Sequence, residues 1–437
     1  MANGKVLVTL ASSALILLLV FESIYPSGFL YPLFHCQPPS DTSHRRRRPS
    51  VIIPLPPTAE AYFVTYSNST YATAWSPQRH VLYGGNYFWV FLYAGYTTEF
   101  AGYEANPYTY IGICSVDGEN WTQRQRVASM TDQTPQMELG QTFDSRWDTD
   151  LGKIISYFPY KDCPYWVRFG TANGVLTREL MKCWVSVVNH NPVSPRYGYT
   201  QSRFVTICQV MHPSITAKRG DMICQTTKDL STDGSNQAYY GWGSYANDTC
   251  QSVTLTWNET TAIYVTVKND YTLWWNWAYN TNFAYPPLAL SIKLAAGYNS
   301  LTGCSEPELN GYGNGTDEIV YIKDSGQLCL MSFGQSGWSS ETVIVSSGAT
   351  SPNIAVAPNG DRYISYIRQG RIYYKVFNVQ TETLSSEVDL CPAHDYENPQ
   401  YLSSNQMVQN GYICYTWAED NPGGETPYGV WFAALQI

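Results

Sequence analysis

The chain has 437 residues, of which 44% are hydrophobic, 15% aromatic and only 14% charged, against roughly 25% charged in an average globular protein. That excludes a disordered chain and leaves Ser, Thr, Asn and Tyr to keep the surface wet. Lys plus Arg number 26 against 35 Asp plus Glu, a net charge of -9, which argues against a nucleic-acid partner held by phosphate neutralisation.

Lys5 precedes an apolar run from Val6 to Phe21, intermediate between the core of a signal peptide and the roughly 20 residues of a spanning helix. Beyond Glu22 the sequence stays apolar and aromatic to Phe34, interrupted by Pro26, Gly28 and Pro32, with no convincing cleavage site. Residues 1–35 are therefore expected to form an apolar helix that anchors the chain as an uncleaved signal, a removed signal peptide being the alternative. Arg45 to Arg48 pull against the anchor, since positive charge prefers the cytoplasmic side. Residues 36–60, rich in Pro and Arg, read as a linker or stalk. Cys36 lies in it, where an intermolecular disulfide linking an oligomer is geometrically easy; a free thiol is the alternative. The even set of cysteines from Cys114 to Cys414, and sequons at Asn68, Asn120, Asn247, Asn258 and Asn314, point to a secreted or cell-surface protein whose cysteines pair.

From 61 to 437 short runs of β-branched and aromatic residues end in Gly, Asn and Asp turns, the mark of an all-β body. One unit recurs seven times, opening near Val81, Gln141, Phe204, Val253, Glu308, Pro352 and Gln400, at a spacing of roughly 53 residues that suits a four-stranded blade. The fold expected is a single β-propeller of seven blades, alternatively six, with a pair of β-sandwiches as the competing architecture. Closing the ring requires the strand near Tyr62 to Tyr66 to complete the last blade at Val430 to Leu435.

The first unit ends in YIGICSVDGENWTQ. There Ser115, Asp117, Gly118 and Trp121 resemble the Asp-box of bacterial-neuraminidase-repeat proteins, with one residue fewer between Asp and Gly. The resemblance implies a sialidase-like propeller and a structural role: Asp and Ser bind backbone amides, Gly takes a positive φ and Trp packs beneath the blade. Sialidases of this kind hold the substrate carboxylate with three Arg and use a Tyr nucleophile, a Glu and an Asp acid/base. Arg79, ahead of the first inner strand, matches the position of one such Arg, although His80 and Val81 replace the Ile and Pro of the family motif.

Asp144, Asp148 and Asp150 flank Arg146 in FDSRWDTD; paired carboxylates there suit acid/base work on a glycoside or a structural Ca²⁺, against an ordinary charged hairpin. His394, Asp395 and Glu397 in CPAHDYEN form a second polar group on a loop. Trp274, Trp275 and Trp277, with Trp242, are candidates for stacking on sugar faces, against packing between blades. No nucleotide, zinc-protease, serine-hydrolase or haem motif occurs, and no cofactor is expected. The leading expectation is a membrane-tethered propeller that binds glycan or another cell-surface ligand. A sialidase-like glycoside hydrolase and an attachment or structural surface protein are the alternatives.

Overall fold

In the computed structural model the chain divides into Met1–Pro54 and Leu55–Ile437. The structure describes residues 58–437 apart from stretches between strands, the longest being 97–107, 131–142, 184–196, 210–221, 228–236, 241–251 and 305–316; from 182 to 264 it describes the backbone alone. The expected helix at 1–35, Cys36 and the linker up to residue 57 lie outside the described residues. Among the described residues no helix is long and apolar enough to cross a membrane.

Among the described residues seven antiparallel sheets follow one another, at 81–130, 144–183, 197–240, 252–293, 301–345, 349–389 and 400–436. In each, consecutive strands pair, and the fourth, fifth and sixth sheets split their outer strand into two short pieces. The seventh takes its outer strand from the other end of the chain. Ala61–Ser67 pairs antiparallel with Tyr428–Gln436, Ala61 opposite Ala433 and Ser67 opposite Tyr428, so the last sheet has no exposed edge at Tyr428–Gln436. Two sheets open earlier than the sequence suggests, with Tyr197–Thr200 ahead of Phe204 and Leu301–Cys304 ahead of Glu308. Four residues such as YGYT are too few to show an alternation.

The strands of the first sheet are apolar on both sides because it lies between the second and the seventh. In Tyr87–Tyr96, Trp89, Phe91 and Tyr93 pack with Ile154, Val167 and Phe169 of the second sheet. The alternate residues Phe88, Val90 and Leu92 pack with Val430 and Phe432 of the seventh. A period of 2 thus sends neighbours to opposite cores, and the strand reads as an unbroken apolar run. Ile354, Ile364 and Tyr366 join the fifth sheet to the sixth, and Tyr374, Tyr415 and Trp417 the sixth to the seventh.

This layering separates the cysteines. Cys114, Cys329, Cys391 and Cys414 are unpaired and buried, each in a different inter-sheet core. The expected pairing of the even set therefore fails for these four, because the strands aim them into four separate layers.

The opening strands of the third to seventh sheets adjoin one another in sequence order, and the series continues from the seventh to the first and second. Polar side chains stitch them together. Asn353 Nδ2 donates to Leu402 O at 2.7 Å, His80 N to Ser403 Oγ at 3.0 Å, and Arg79 is bonded to Asp144. Because strands alternate in direction, first and third strands start at the same end of a sheet at which second and fourth strands finish. That end is termed upper below.

Candidate functional site

The upper, outer corner of the seventh sheet is built from three adjacent strands. In their register Phe63 lies opposite Trp431 and Trp431 opposite Trp417; two residues along, Tyr66 lies opposite Gly429 and Gly429 opposite Glu419. Phe63 and Tyr66 are three apart, which in a regular strand sends them to opposite faces. A bulge between Phe63 and Thr65 returns both to one face, their ring centroids 4.7 Å apart. The Phe63 ring also meets Trp431 edge-on at 5.6 Å. Gly429 makes room for both: a Cβ there would lie 3.1 Å from Trp431 Nε1 and 3.7 Å from Phe63 Cε2. Phe63 remains 39% exposed and Tyr66 49%, whereas Trp417 is fully buried.

The segment between the sixth and seventh sheets covers the inner part of this face. A turn closed by His394 N and Cys391 O at 3.0 Å lays the His394 ring on Trp431, with centroids 4.5 Å apart, and against Tyr396 at 4.7 Å. His394 Nε2 lies 2.8 Å from Glu419 Oε1, which also accepts from Trp417 Nε1 at 2.6 Å, while Glu419 Oε2 accepts from Glu397 N at 3.3 Å. Arg371, first residue of its strand, donates Nε to Asp389 Oδ2 at 2.6 Å and Nη2 to the carbonyls of Pro392 at 3.3 Å and His394 at 3.4 Å. Its guanidinium carbon stands 5.1 Å over the Tyr396 ring. Burial pushes the Cys391 thiol up to about 12 and raises the Tyr396 phenol. Beyond Glu419, Asp420 accepts from Asn398 Nδ2 at 2.7 Å and Gln400 Nε2 at 3.2 Å. The corner is thus a pair of exposed rings beside a fixed polar segment. It can stack on a flat apolar face and hydrogen-bond the polar edge of the same ligand.

His394, Asp395 and Glu397 belong to this corner, as a polar group singled out from sequence. Phe63, Tyr66 and Trp431 were not singled out. Their signal was the aromatic spacing of three within a strand, out of step with its period of 2, which marks a bulge.

The other candidates fall elsewhere. Arg79 and Asp144 meet at the upper end of the first two sheets in a two-pronged ion pair, Nε to Oδ1 at 2.9 Å and Nη2 to Oδ2 at 3.0 Å, with Asp144 wholly buried. Asp148 lies at the lower end of the same strand, Asp144–Asp148, where its Oδ1 accepts from Leu151 N at 2.9 Å across the turn. Four residues of strand separate the two carboxylates by about 13 Å, more than the roughly 5–9.5 Å that glycoside chemistry uses. The paired-carboxylate reading is corrected on that ground. Asp150 lies outside the described residues, and among the described residues no three His, Cys, Asp or Glu side chains gather around a cation position.

Ser115, Asp117, Gly118 and Trp121 make the lower turn after Tyr108–Ser115. Ser115 Oγ donates to Asp117 Oδ1 and accepts from Gly118 N, both at 2.8 Å, and Asp117 Oδ1 also accepts from Glu119 N at 2.9 Å and Asn120 N at 2.8 Å. These donors, the Asn120 amide first, hold the Asp117 carboxyl well below the usual carboxylate range. Gly118 has φ +84°, and a Cβ on it would lie 3.0 Å from Phe432. Trp121 meets Phe432 edge-on at 5.0 Å.

Trp275 packs between the fourth and fifth sheets, 5.0 Å from Phe333 and 6.0 Å from Trp338; alternation turns it toward that core, against which it is half-buried. Trp274 donates Nε1 to Thr272 Oγ1 at 2.9 Å. The Trp277 side chain and all of Trp242 lie outside the described residues.

No family model matches the chain, and no curated protein does. Among solved structures it is similar to the polysaccharide lyase Uly1, at TM-score 0.50 and 8% identity over 87% of this chain and 97% of that one. The NanB sialidase from Streptococcus pneumoniae aligns at TM-score 0.44 and 11% identity, over 86% of this chain and 70% of its own. AofleA from Arthrobotrys oligospora aligns at TM-score 0.44 and 8% identity, over 68% and 86%. At such identity the likeness to Uly1 is one of fold.

Proposed function

We propose that the seven sheets form one seven-bladed β-propeller, closed by Ala61–Ser67, and that it is a glycan-binding protein of the cell surface, tethered through residues 1–35. The observation that carries the glycan reading is the exposed ring pair Phe63 and Tyr66, at 39% and 49% exposure, beside the hydrogen-bonded segment of His394 and Glu397. Sugars offer apolar ring faces for such rings and hydroxyls for polar groups beside them. That Uly1 is a polysaccharide lyase on a similar fold agrees by analogy only. A sialidase-like hydrolase needs arginines turned toward a substrate carboxylate, and the Arg79 guanidinium is instead committed to a buried carboxylate.

The test is a glycan array on the full chain, beside a fluorogenic sialoside assay, with Phe63→Ala and Arg79→Ala variants. Binding that is lost in Phe63→Ala, without turnover, is expected. Turnover abolished by Arg79→Ala would make the protein an enzyme. Silence in both assays would move the reading to an attachment or structural role.

A further inference from the structure

The corner that carries Phe63 and Tyr66 is rimmed by acid. Asp395 and Glu397 are exposed on the segment over Trp431, and Asp420 follows Glu419 at the end of its strand. The nearby cations are already engaged: Arg371 by Asp389 at 2.6 Å, and Arg124, which donates Nε to Thr65 Oγ1 at 3.0 Å. Arg79, Arg168, Arg362 and Arg368 are likewise each paired with a carboxylate. An anionic sugar would have to draw Arg371 away from Asp389, or Arg124 away from Thr65 Oγ1 and the Tyr66 carbonyl, whereas a protonated amine meets carboxylates directly.

We propose that this corner takes a basic glycan, an oligosaccharide of hexosamines with free amines, whose ring faces stack on Phe63 and Tyr66 while Asp395 and Glu397 receive the ammonium groups. This rests on the glycan-binding reading and narrows it to one class of sugar. It runs opposite to the acidic sugars that a sialidase-like fold suggests.

The test is calorimetric titration of the full chain with three tetrasaccharides: a glucosamine tetramer, its N-acetylated counterpart and a sialylated one. At about pH 6 the hexosamine amines carry charge while ordinary carboxyls stay ionised. At low salt the free-amine tetramer is expected to bind about fivefold tighter than the N-acetylated one, the upper end for an exposed ion pair, and the sialylated one most weakly. The gap should close at about 0.5 M salt, where the screening length falls to a few ångströms. The double variant Asp395→Asn with Glu397→Gln should remove the gap and keep N-acetylated binding. Phe63→Ala should abolish binding of every tetramer with the melting temperature retained.

An N-acetylated tetramer that binds through Phe63 as tightly as the free-amine one would overturn the basic-glycan assignment and leave the glycan reading standing. Free-amine binding that persists in Phe63→Ala and vanishes with salt would be diffuse adsorption and would also overturn it. No binding by any tetramer would remove both.

Discussion

Arg79 and Asp144 hold each other across the junction of the first two sheets, and the backbone N–H of Arg79 adds a third bond to Asp144 Oδ1 at 2.8 Å. The Arg79 carbonyl in turn accepts from Ser145 N at 3.0 Å, so the pair fixes two inner strands in register. Removing one partner of a buried pair leaves a charge with nothing to offset its desolvation, at a cost of about 3–5 kcal/mol. Arg79→Ala and Asp144→Ala are each expected to lose that much in urea unfolding. Arg79→Met with Asp144→Leu should recover most of it, since an apolar pair of similar volume is often neutral. A loss below about 1 kcal/mol in either single variant would contradict a structural role.

The turn at Asp117 gives a pH dependence of defined sign. Its carboxyl titrates lower in the folded chain than in the unfolded one, because the amides of Asn120 and Glu119 and the Ser115 hydroxyl favour the ionised form. The stabilisation is complete above the unfolded carboxyl range, about pH 4, and is lost as pH falls toward the depressed folded value. Thermal melts from about pH 6 to about pH 2 should show Asp117→Ala lowering the melting temperature at neutral pH, with the difference from the parent shrinking in acid. A difference that stays constant or grows would contradict the linkage.

Trp275 and Phe63 should separate packing from binding. Trp275 fills the layer between the fourth and fifth sheets, and Trp275→Ala is expected to cost about 3–5 kcal/mol of stability with glycan affinity unchanged in the protein that remains folded. Phe63→Ala removes an exposed ring, so a stability change within about 0.5 kcal/mol and a loss of glycan affinity are expected. Paired denaturant and titration curves read both quantities. An exchange of the two outcomes would return the ligand role to the Trp274–Trp277 strand.

The closing strand was legible because an alternating run near Tyr62 had no partner nearby in sequence and the last sheet lacked an outer strand. The opening strands YGYT and LTGC were not, since four residues carry too little periodicity and pairing with the next strand decides them. Arg79 and Asp144 stand 65 residues apart; each residue was singled out, but their bond is a tertiary fact. The aromatic density around Trp275 showed in composition, while the neighbouring sheet that covers it did not. At Phe63 and Tyr66 a single bulge reverses the face on which one ring falls, and period-2 reading separates them.

The four described thiols offer a probe of layering. Burial pushes the Cys329 thiol up to about 11 and the Cys391 thiol up to about 12, and raises those of Cys114 and Cys414. The thiolate is the reacting form, and each sulfur lies inside a packed layer, so reaction with an aromatic disulfide reagent at neutral pH requires opening of that layer. In the folded chain these four are expected to resist labelling, and to react together across the urea transition. Mass mapping of labelled peptides identifies each site. Cys391 lies under the His394 segment and next to its turn, so His394→Ala should make it the first of the four to react at low urea, while Cys114, between the first and second sheets, stays protected. Equal early labelling of both would mean that His394 supports the sheets generally rather than the corner alone.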